Sequence, residues 1–129
     1  MYFNWFLNLK KNLYIIILLF AQPDVIIHSA AEKRVENVEN DFKKAEQLNV
    51  GATSYLAEVC AKSNILFIYI STDYVFDGTK PPYKIDDTPN PLNKYGLTKL
   101  GGEQATLKAS PSKTFLSPIS KSILIRSWS

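Results

Sequence analysis

The chain has 129 residues, enough for one modest domain and too few for two. Its 15 basic and 12 acidic residues leave a net charge of +3, spread along the sequence. So mild an excess gives no basis for expecting nucleic acid or an anionic membrane surface as partner. One cysteine, Cys60, and one histidine, His28, exclude an internal disulfide framework and argue against a zinc site, so no metal is expected.

Residues 1–21 stand apart. They are aromatic and apolar up to Leu9, then carry Lys10 and Lys11, then run apolar from Leu13 to Ala21. Basic residues before a short apolar run resemble a secretory signal peptide. Against that, the run is about nine residues long, too short to span a bilayer. It also passes without a cleavage site into Gln22-Pro23-Asp24-Val25. The expectation is an atypical hydrophobic segment outside the native fold, from a misassigned start or translated non-coding sequence, with an export signal as the alternative. Residues 22–129 then form the domain.

From Pro23 onward, short apolar runs alternate with longer amphipathic ones. Val25-Ile26-Ile27-His28 follows Pro-Asp and reads as a buried strand. Residues 39–62 place Phe42, Ala45, Leu48, Ala52, Leu56, Val59 and Cys60 at steps of three or four, which predicts a helix with those side chains on one face. Ile65-Leu-Phe-Ile-Tyr-Ile70 is a continuous apolar run fit for a strand buried on both faces. Residues 77–91 hold four of the seven prolines and read as loop, with a turn at Asp77-Gly78. Residues 93–107 return to helix, with Tyr95, Leu97, Thr98, Leu100 and Ala105 inward and Glu103 on the other side. Residues 110–120 are polar, and Ser122-Ile-Leu-Ile-Arg126 suggests a third strand. Strand, helix, strand, helix, strand with uninterrupted apolar strands predicts an α/β fold, a parallel sheet with crossover helices. Three strands are few, so the expectation is a partial NAD(P)-binding Rossmann fold lacking its first βαβ unit.

The chemistry concentrates in Ile70-Ser71-Thr72-Asp73-Tyr74-Val75-Phe76-Asp77-Gly78 and Tyr95-Gly96-Leu97-Thr98-Lys99. Ser71 to Asp73 close the second predicted strand, and open parallel sheets bind ligands outside that end. Tyr95 and Lys99 are four apart and share a helix face. A lysine ammonium near a tyrosine stabilises the phenolate and lowers the phenol's pKa. Such a phenol exchanges a proton with an alcohol or ketone, while a hydroxyl such as that of Thr72 holds the substrate oxygen. Alone, the Tyr-x-x-x-Lys spacing is weak and reads as a helix face with a packed ring and a solvated lysine. Its conjunction with a buried strand ending in Ser-Thr-Asp reverses that balance. Cys60 reads as a buried structural thiol, His28 as a satisfied structural histidine, Lys33-Arg34 and Lys43-Lys44 as solvated faces, and Tyr74 and Phe76 as loop packing.

Ser71-Thr-Asp-Tyr-Val-Phe-Asp-Gly78, Pro89-Asn-Pro-Leu-Asn93, Tyr95-Gly-Leu-Thr-Lys99 and Gly102-Glu103 resemble the extended short-chain dehydrogenase/reductase family, and within it the dTDP-4-dehydrorhamnose reductases. Gln22-Pro-Asp-Val-Ile-Ile-His-Ser-Ala-Ala-Glu-Lys-Arg34, Val38-Glu-Asn40, Gln47-Leu-Asn-Val50 and Gly78-Thr-Lys-Pro-Pro-Tyr83 resemble more closely the regulatory beta subunits of methionine adenosyltransferase. The Ala-Ala-Glu-Lys-Arg run discriminates most, since reductases usually lack its basic pair. The resemblance spans residues 22–107 without a gap.

It implies that Ser29, Ala30 and Ala31 line a dinucleotide cleft, that Lys33 lies near the cofactor phosphates, and that Tyr95 and Lys99 contact the nicotinamide ribose of NADP. It makes Thr72, Asp73, Tyr95 and Lys99 the counterparts of a reductase's catalytic set. It further implies a cytoplasmic regulatory, non-catalytic subunit that partners the catalytic subunit of methionine adenosyltransferase and modulates S-adenosylmethionine biosynthesis. An NADPH-dependent reductase of a 4-keto nucleotide sugar is the alternative, and a non-functional fragment the third. The first two share every candidate residue. Two departures stand out: no glycine precedes Gly51, so the family's Gly-rich phosphate turn is absent from this sequence, and Ser29 stands where the beta subunits usually have cysteine.

Overall fold

A computed structural model describes residues 13, 15–18, 20–84 and 86–109, and the backbone of 114–117. Three strands form one sheet in the order β1 (Val25–His28), β2 (Leu66–Ile70), β3 (Thr114–Ser117). Both pairings are parallel, with Val25 opposite Leu66 and Phe67 opposite Thr114. Parallel neighbours require a crossover, and each crossover here carries helix. The α/β architecture with a parallel sheet therefore holds.

A strand also stands where none was expected. It is Thr114–Ser117, inside a stretch whose polarity suggested no strand; residues 122–126 lie outside those described. Hydrogen bonding along the free edge of β2, which an apolar count does not register, selects it. Nor are the strands buried on both faces. Val25 and Ile27 are 44% and 65% exposed, while His28 is buried. Among the described residues the helices cover one face, where Leu56, Ala57 and Cys60 meet Ile65, Phe67 and Tyr69, with Ile26, Leu107 and Ala109 packed against them.

The first crossover is not one helix from residue 39. It begins as α1 (Val35–Asn40), breaks at Asp41, resumes as α2 (Phe42–Glu46), widens into a π-helical turn (Gln47–Gly51) and ends as α3 (Ala52–Lys62). Asp41 has φ −139° and ψ 72°, outside the helical region, and its carboxylate accepts the Lys44 N–H at 3.1 Å, an N-cap worth about 1 kcal/mol. The wide turn then shifts the buried stripe. Ala45, Asn49, Thr53, Leu56, Ala57 and Cys60 face inward, while Leu48 is 47% exposed. Periodicity of 3.6 had put Leu48 and Ala52 where the structure puts Asn49 and Thr53. Cys60 is buried as read, and burial pushes its thiol up to about 11.

The second crossover helix, α4 (Lys94–Ala109), is capped by Asn93, whose Oδ1 accepts the Gly96 N–H at 2.7 Å. Lys94 also ties α4 to α1. Its N–H donates to Glu39 Oε1 at 3.0 Å and its Nζ to the Glu39 carbonyl at 2.9 Å. The buried face of α4 is Gly96, Thr98, Lys99, Gly102, Glu103 and Thr106. Glu103 thus points in, not out, and Leu97 is 48% exposed. Gly102 makes the close approach possible: a Cβ there would overlap the Tyr69 phenol.

Of residues 13–21, those described are helical, and Leu18 packs against the core. Residues 1–12, 14 and 19 of that segment lie outside the described part. No helix among the described residues is long and apolar enough to cross a membrane.

Candidate functional site

The parallel register puts the carboxyl ends of β1 and β2 side by side, because His28 stands opposite Tyr69. The segments leaving those ends, from Ser29 and from Ser71, therefore open on the same side of the sheet. Ser29, Ala30 and Lys33 are exposed and Ala31 is half-buried. Lys33, on the exposed run into α1, carries its charge in solvent, as does Arg34.

On the β2 side, Ser71 and Thr72 are buried and Asp73 is exposed. Thr72 caps a short 3-10 turn (Asp73–Val75). Its Oγ1 accepts the Tyr74 N–H at 3.3 Å and donates to Asp73 Oδ1 at 3.2 Å. Tyr95, in the first turn of α4, meets this turn with its ring edge-on to Tyr74, centroids 5.8 Å apart. Close backbone approach makes the contact: a Cβ at Gly96 would overlap the Tyr74 carbonyl. Tyr74 is accordingly a wall of the site and 52% exposed, while Phe76 packs the loop as read, stacked on Tyr83 at 4.2 Å.

The structure thus gathers Thr72, Asp73 and Tyr95, with Lys99 one helical turn deeper. The expected electrostatics differ. The phenol of Tyr95 is raised, not lowered, first by burial; a hydrogen bond with Thr72 acts the other way, and the charge of Asp73 adds to the rise. Lys99 is only 2% exposed. Its Nζ donates to the Ile70 carbonyl at 2.6 Å and lies 4.1 Å from the centroid of the Tyr69 ring. The ammonium is committed to the end of β2. Burial lowers Lys99 to about 8, against the opposing charge of Glu103.

Sequence reasoning missed the polar web under this mouth. Asn49 is 1% exposed. Its Oδ1 accepts the Glu32 N–H at 2.8 Å, and its Nδ2 donates to the Glu32 carbonyl at 3.1 Å and to Thr98 Oγ1 at 2.9 Å. Thr98 Oγ1 in turn donates to the Tyr95 carbonyl at 2.8 Å. One side chain therefore joins the segment after β1 to the helix bearing Tyr95 and Lys99. The Asn49 carbonyl accepts from Thr53 Oγ1 at 2.6 Å, and Thr53 meets His28 Nε2 at 2.9 Å. His28 is the satisfied structural histidine expected; burial first, then the charge of Lys99, lowers its pKa. Ser71 Oγ donates to Glu103 Oε1. Residues 95, 99 and 103 recur every four positions on one helix face, but that spacing alone does not say that the face bearing Glu103 is buried.

What the arrangement can do is orient an alcohol or carbonyl between a threonine hydroxyl and a protonated phenol. Ser29 and Ala30, at the carboxyl end of β1, are exposed on the same side of the sheet as these groups. Among the described residues no cluster of His, Cys, Asp and Glu is placed to hold a metal ion.

Comparison with known proteins places the chain in a family. The beta subunit of methionine adenosyltransferase 2 from Bos taurus is 58% identical over 87 residues, covering 67% of this chain and 26% of that protein. The dTDP-4-dehydrorhamnose reductase of Mycolicibacterium smegmatis is 43% identical over 93 residues, covering 70% of this chain and 28% of its own length. The crystal structure of the dTDP-4-dehydrorhamnose reductase of Bacillus anthracis str. Ames in complex with NADP superposes with a TM-score of 0.74 at 32% identity, covering 79% of this chain and 36% of that one. The chain spans about a quarter of the length of the curated relatives it matches. The profile of the RmlD substrate binding domain matches residues 10–116, and the chain belongs to that family.

Proposed function

We propose that this chain carries the nucleotide-facing part of a regulatory subunit of methionine adenosyltransferase. In this reading it associates with the catalytic subunit in the cytoplasm and modulates S-adenosylmethionine synthesis without itself performing synthesis. The observation that carries the reading is the difference in identity, 58% to the bovine beta subunit against 43% to the mycobacterial reductase.

In this proposal Ser29, Ala30 and Ala31 approach the dinucleotide by their backbone, Lys33 faces its phosphates, and Tyr95 meets the nicotinamide ribose; Lys99, expected beside it, is held back by the Ile70 carbonyl and reaches the ribose only by leaving that bond. The exposure of Ser29, Ala30 and Lys33 beside the carboxyl end of β2 supports that assignment. NADPH, when bound, supplies a hydride donor. Tyr95 holds a proton there, because burial keeps its phenol protonated at neutral pH. Thr72 orients an oxygen beside it, and Asp73 sets the Thr72 hydroxyl through their mutual hydrogen bond. Lys99 fixes the end of β2.

The convergence of Thr72, Asp73, Tyr95 and Lys99 favours a second reading, an NADPH-dependent reductase of a 4-keto nucleotide sugar. The test has two arms. The purified 129-residue chain should retain a methionine adenosyltransferase catalytic subunit in a pull-down, and should not oxidise NADPH in the presence of dTDP-4-keto-rhamnose. Turnover without retention would replace the first reading by the second. Neither retention nor turnover would refute both.

A further inference from the structure

Glu103 has a place that the proposed function does not use. The residue is 8% exposed, on the face of α4 that also carries Tyr95 and Lys99. Buried carboxylates are costly unless hydrogen-bonded or paired with a cation. Here Ser71 donates a hydrogen bond to Glu103 from the end of β2, one residue before Thr72. Lys99, one turn back along α4, reaches the same strand end through the Ile70 carbonyl.

The ionisable groups around Lys99 among the described residues are His28 on β1, Tyr69 on β2, and Tyr95 and Glu103 on its own helix. Asp73 stands beyond Tyr95. From α3 the buried ionisable group is Cys60, whose thiol burial keeps neutral. His28 is neutral because burial depresses it, and Tyr69 is neutral because burial raises it. Glu103 is the charge in this set that acts to keep Lys99 protonated.

We propose that Glu103 is a positioning residue of this site: its carboxylate, anchored by Ser71 at the end of β2, keeps the buried ammonium of Lys99 charged and so holds the strand end that presents Thr72. The anchor and the charge come from one side chain, so the geometry of Thr72 and the protonation of Lys99 are set together. The role belongs to the same site, but its test needs no nucleotide. Failure of the nucleotide reading therefore leaves it standing, and its failure leaves that reading standing.

The experiment is urea unfolding of the 129-residue chain between pH 6 and pH 10.5. Lys99 titrates lower in the folded chain than in the unfolded one, so the folded state releases that proton first. Stability from this group therefore rises as pH climbs from about 8 toward the ordinary lysine value. In Glu103→Gln, which keeps the hydrogen-bonding shape without the charge, the onset of that rise moves down by about one pH unit. Glu103→Asp, which keeps the charge but withdraws it by a methylene, moves the onset less and in the same direction. Lys99→Met abolishes the rise in both backgrounds, which separates it from the tyrosines. An onset unmoved in Glu103→Gln overturns the proposal. If that variant does not fold, Glu103→Ala, which also removes the charge, takes its place, and an onset unmoved there overturns the proposal equally.

Discussion

Asn49 grips both backbone groups of Glu32: the Glu32 N–H donates to its Oδ1 at 2.8 Å, and its Nδ2 donates to the Glu32 carbonyl at 3.1 Å. The two residues belong to different elements, the segment leaving β1 and the π-helical turn. Because Nδ2 also donates to Thr98, the grip fixes the distance between that segment and α4. Replacing Asn49 by Leu fills the space but leaves these polar groups without their partner. The expected cost is about 1–3 kcal/mol of stability, read as a lower urea midpoint. A second readout is faster hydrogen exchange at Glu32. An Asn49→Leu variant as stable as the parent would show that the amide does not hold the segment.

Gly96 predicts a different failure. A Cβ there would overlap the carbonyl of Tyr74 and press on Pro91, which it would meet at 2.9 Å. Backbone cannot rotate away as a side-chain tip can, so Gly96→Ala must move the turn at Asp73–Val75 or the first turn of α4. Overpacking of this kind costs about 1–3 kcal/mol. The Tyr74–Tyr95 contact opens with it, detectable as changed aromatic circular dichroism. Gly51, where an added Cβ would meet nothing within 4 Å, is the control: Gly51→Ala should leave the fold intact and raise stability slightly.

His28 makes stability depend on pH in a window of its own. Its folded pKa lies below the ordinary value of 6.5, first through burial and then through the charge of Lys99. Between the folded and unfolded values the unfolded chain holds the extra proton, so stability rises with pH there and falls as pH drops below about 6.5. The slope is at most about 1.4 kcal/mol per pH unit for one proton. The chain has a single histidine, so His28→Gln should flatten the urea midpoint between pH 6.5 and pH 5.5. A slope that survives the substitution would place its source elsewhere.

Asp77 organises the loop that follows the site. Its Oδ1 accepts from the Thr79 N–H at 2.9 Å, the Thr79 hydroxyl at 2.7 Å and the Tyr83 hydroxyl at 2.9 Å, and its Oδ2 accepts from Asn90 at 2.9 Å. Asn90 first, then Thr79 and Tyr83, hold its carboxyl well below the usual carboxylate range. Removing the acceptor in Asp77→Ala should speed proteolytic cleavage within residues 77–91 while leaving global unfolding little changed. Equal cleavage rates in parent and variant would count against a hub at Asp77.

Much of this was legible because it is local. Pro-Asp before Val25-Ile-Ile and the six apolar residues from Ile65 mark strands through chain stiffness and apolarity, and their alternation with helix forces parallel pairing. The site was legible to the same depth. Tyr95 and Lys99 share a face by helical spacing alone, and Thr72 ends a strand by its place after Ile70. The polar web was not, because a buried Asn49 or Glu103 has the same local signature as an exposed one. Only the neighbour that satisfies it, Glu32 in one case and Ser71 in the other, offsets the cost of burial.

The sequence by itself determined the α/β alternation, the end of the sheet where Thr72, Asp73, Tyr95 and Lys99 gather, and the residue types found there. Tertiary structure decided which way those residues face. It turned Glu103 inward, exposed Leu48 through one wide helical turn, left Val25 and Ile27 open on the uncovered sheet face, and chose Thr114–Ser117 as the third strand. The physical reason is that periodicity reports the repeat of a backbone, whereas burial and pKa report the partners brought to it, and those partners lie 17 to 49 residues away along the chain in the side-chain hydrogen bonds of Asn49.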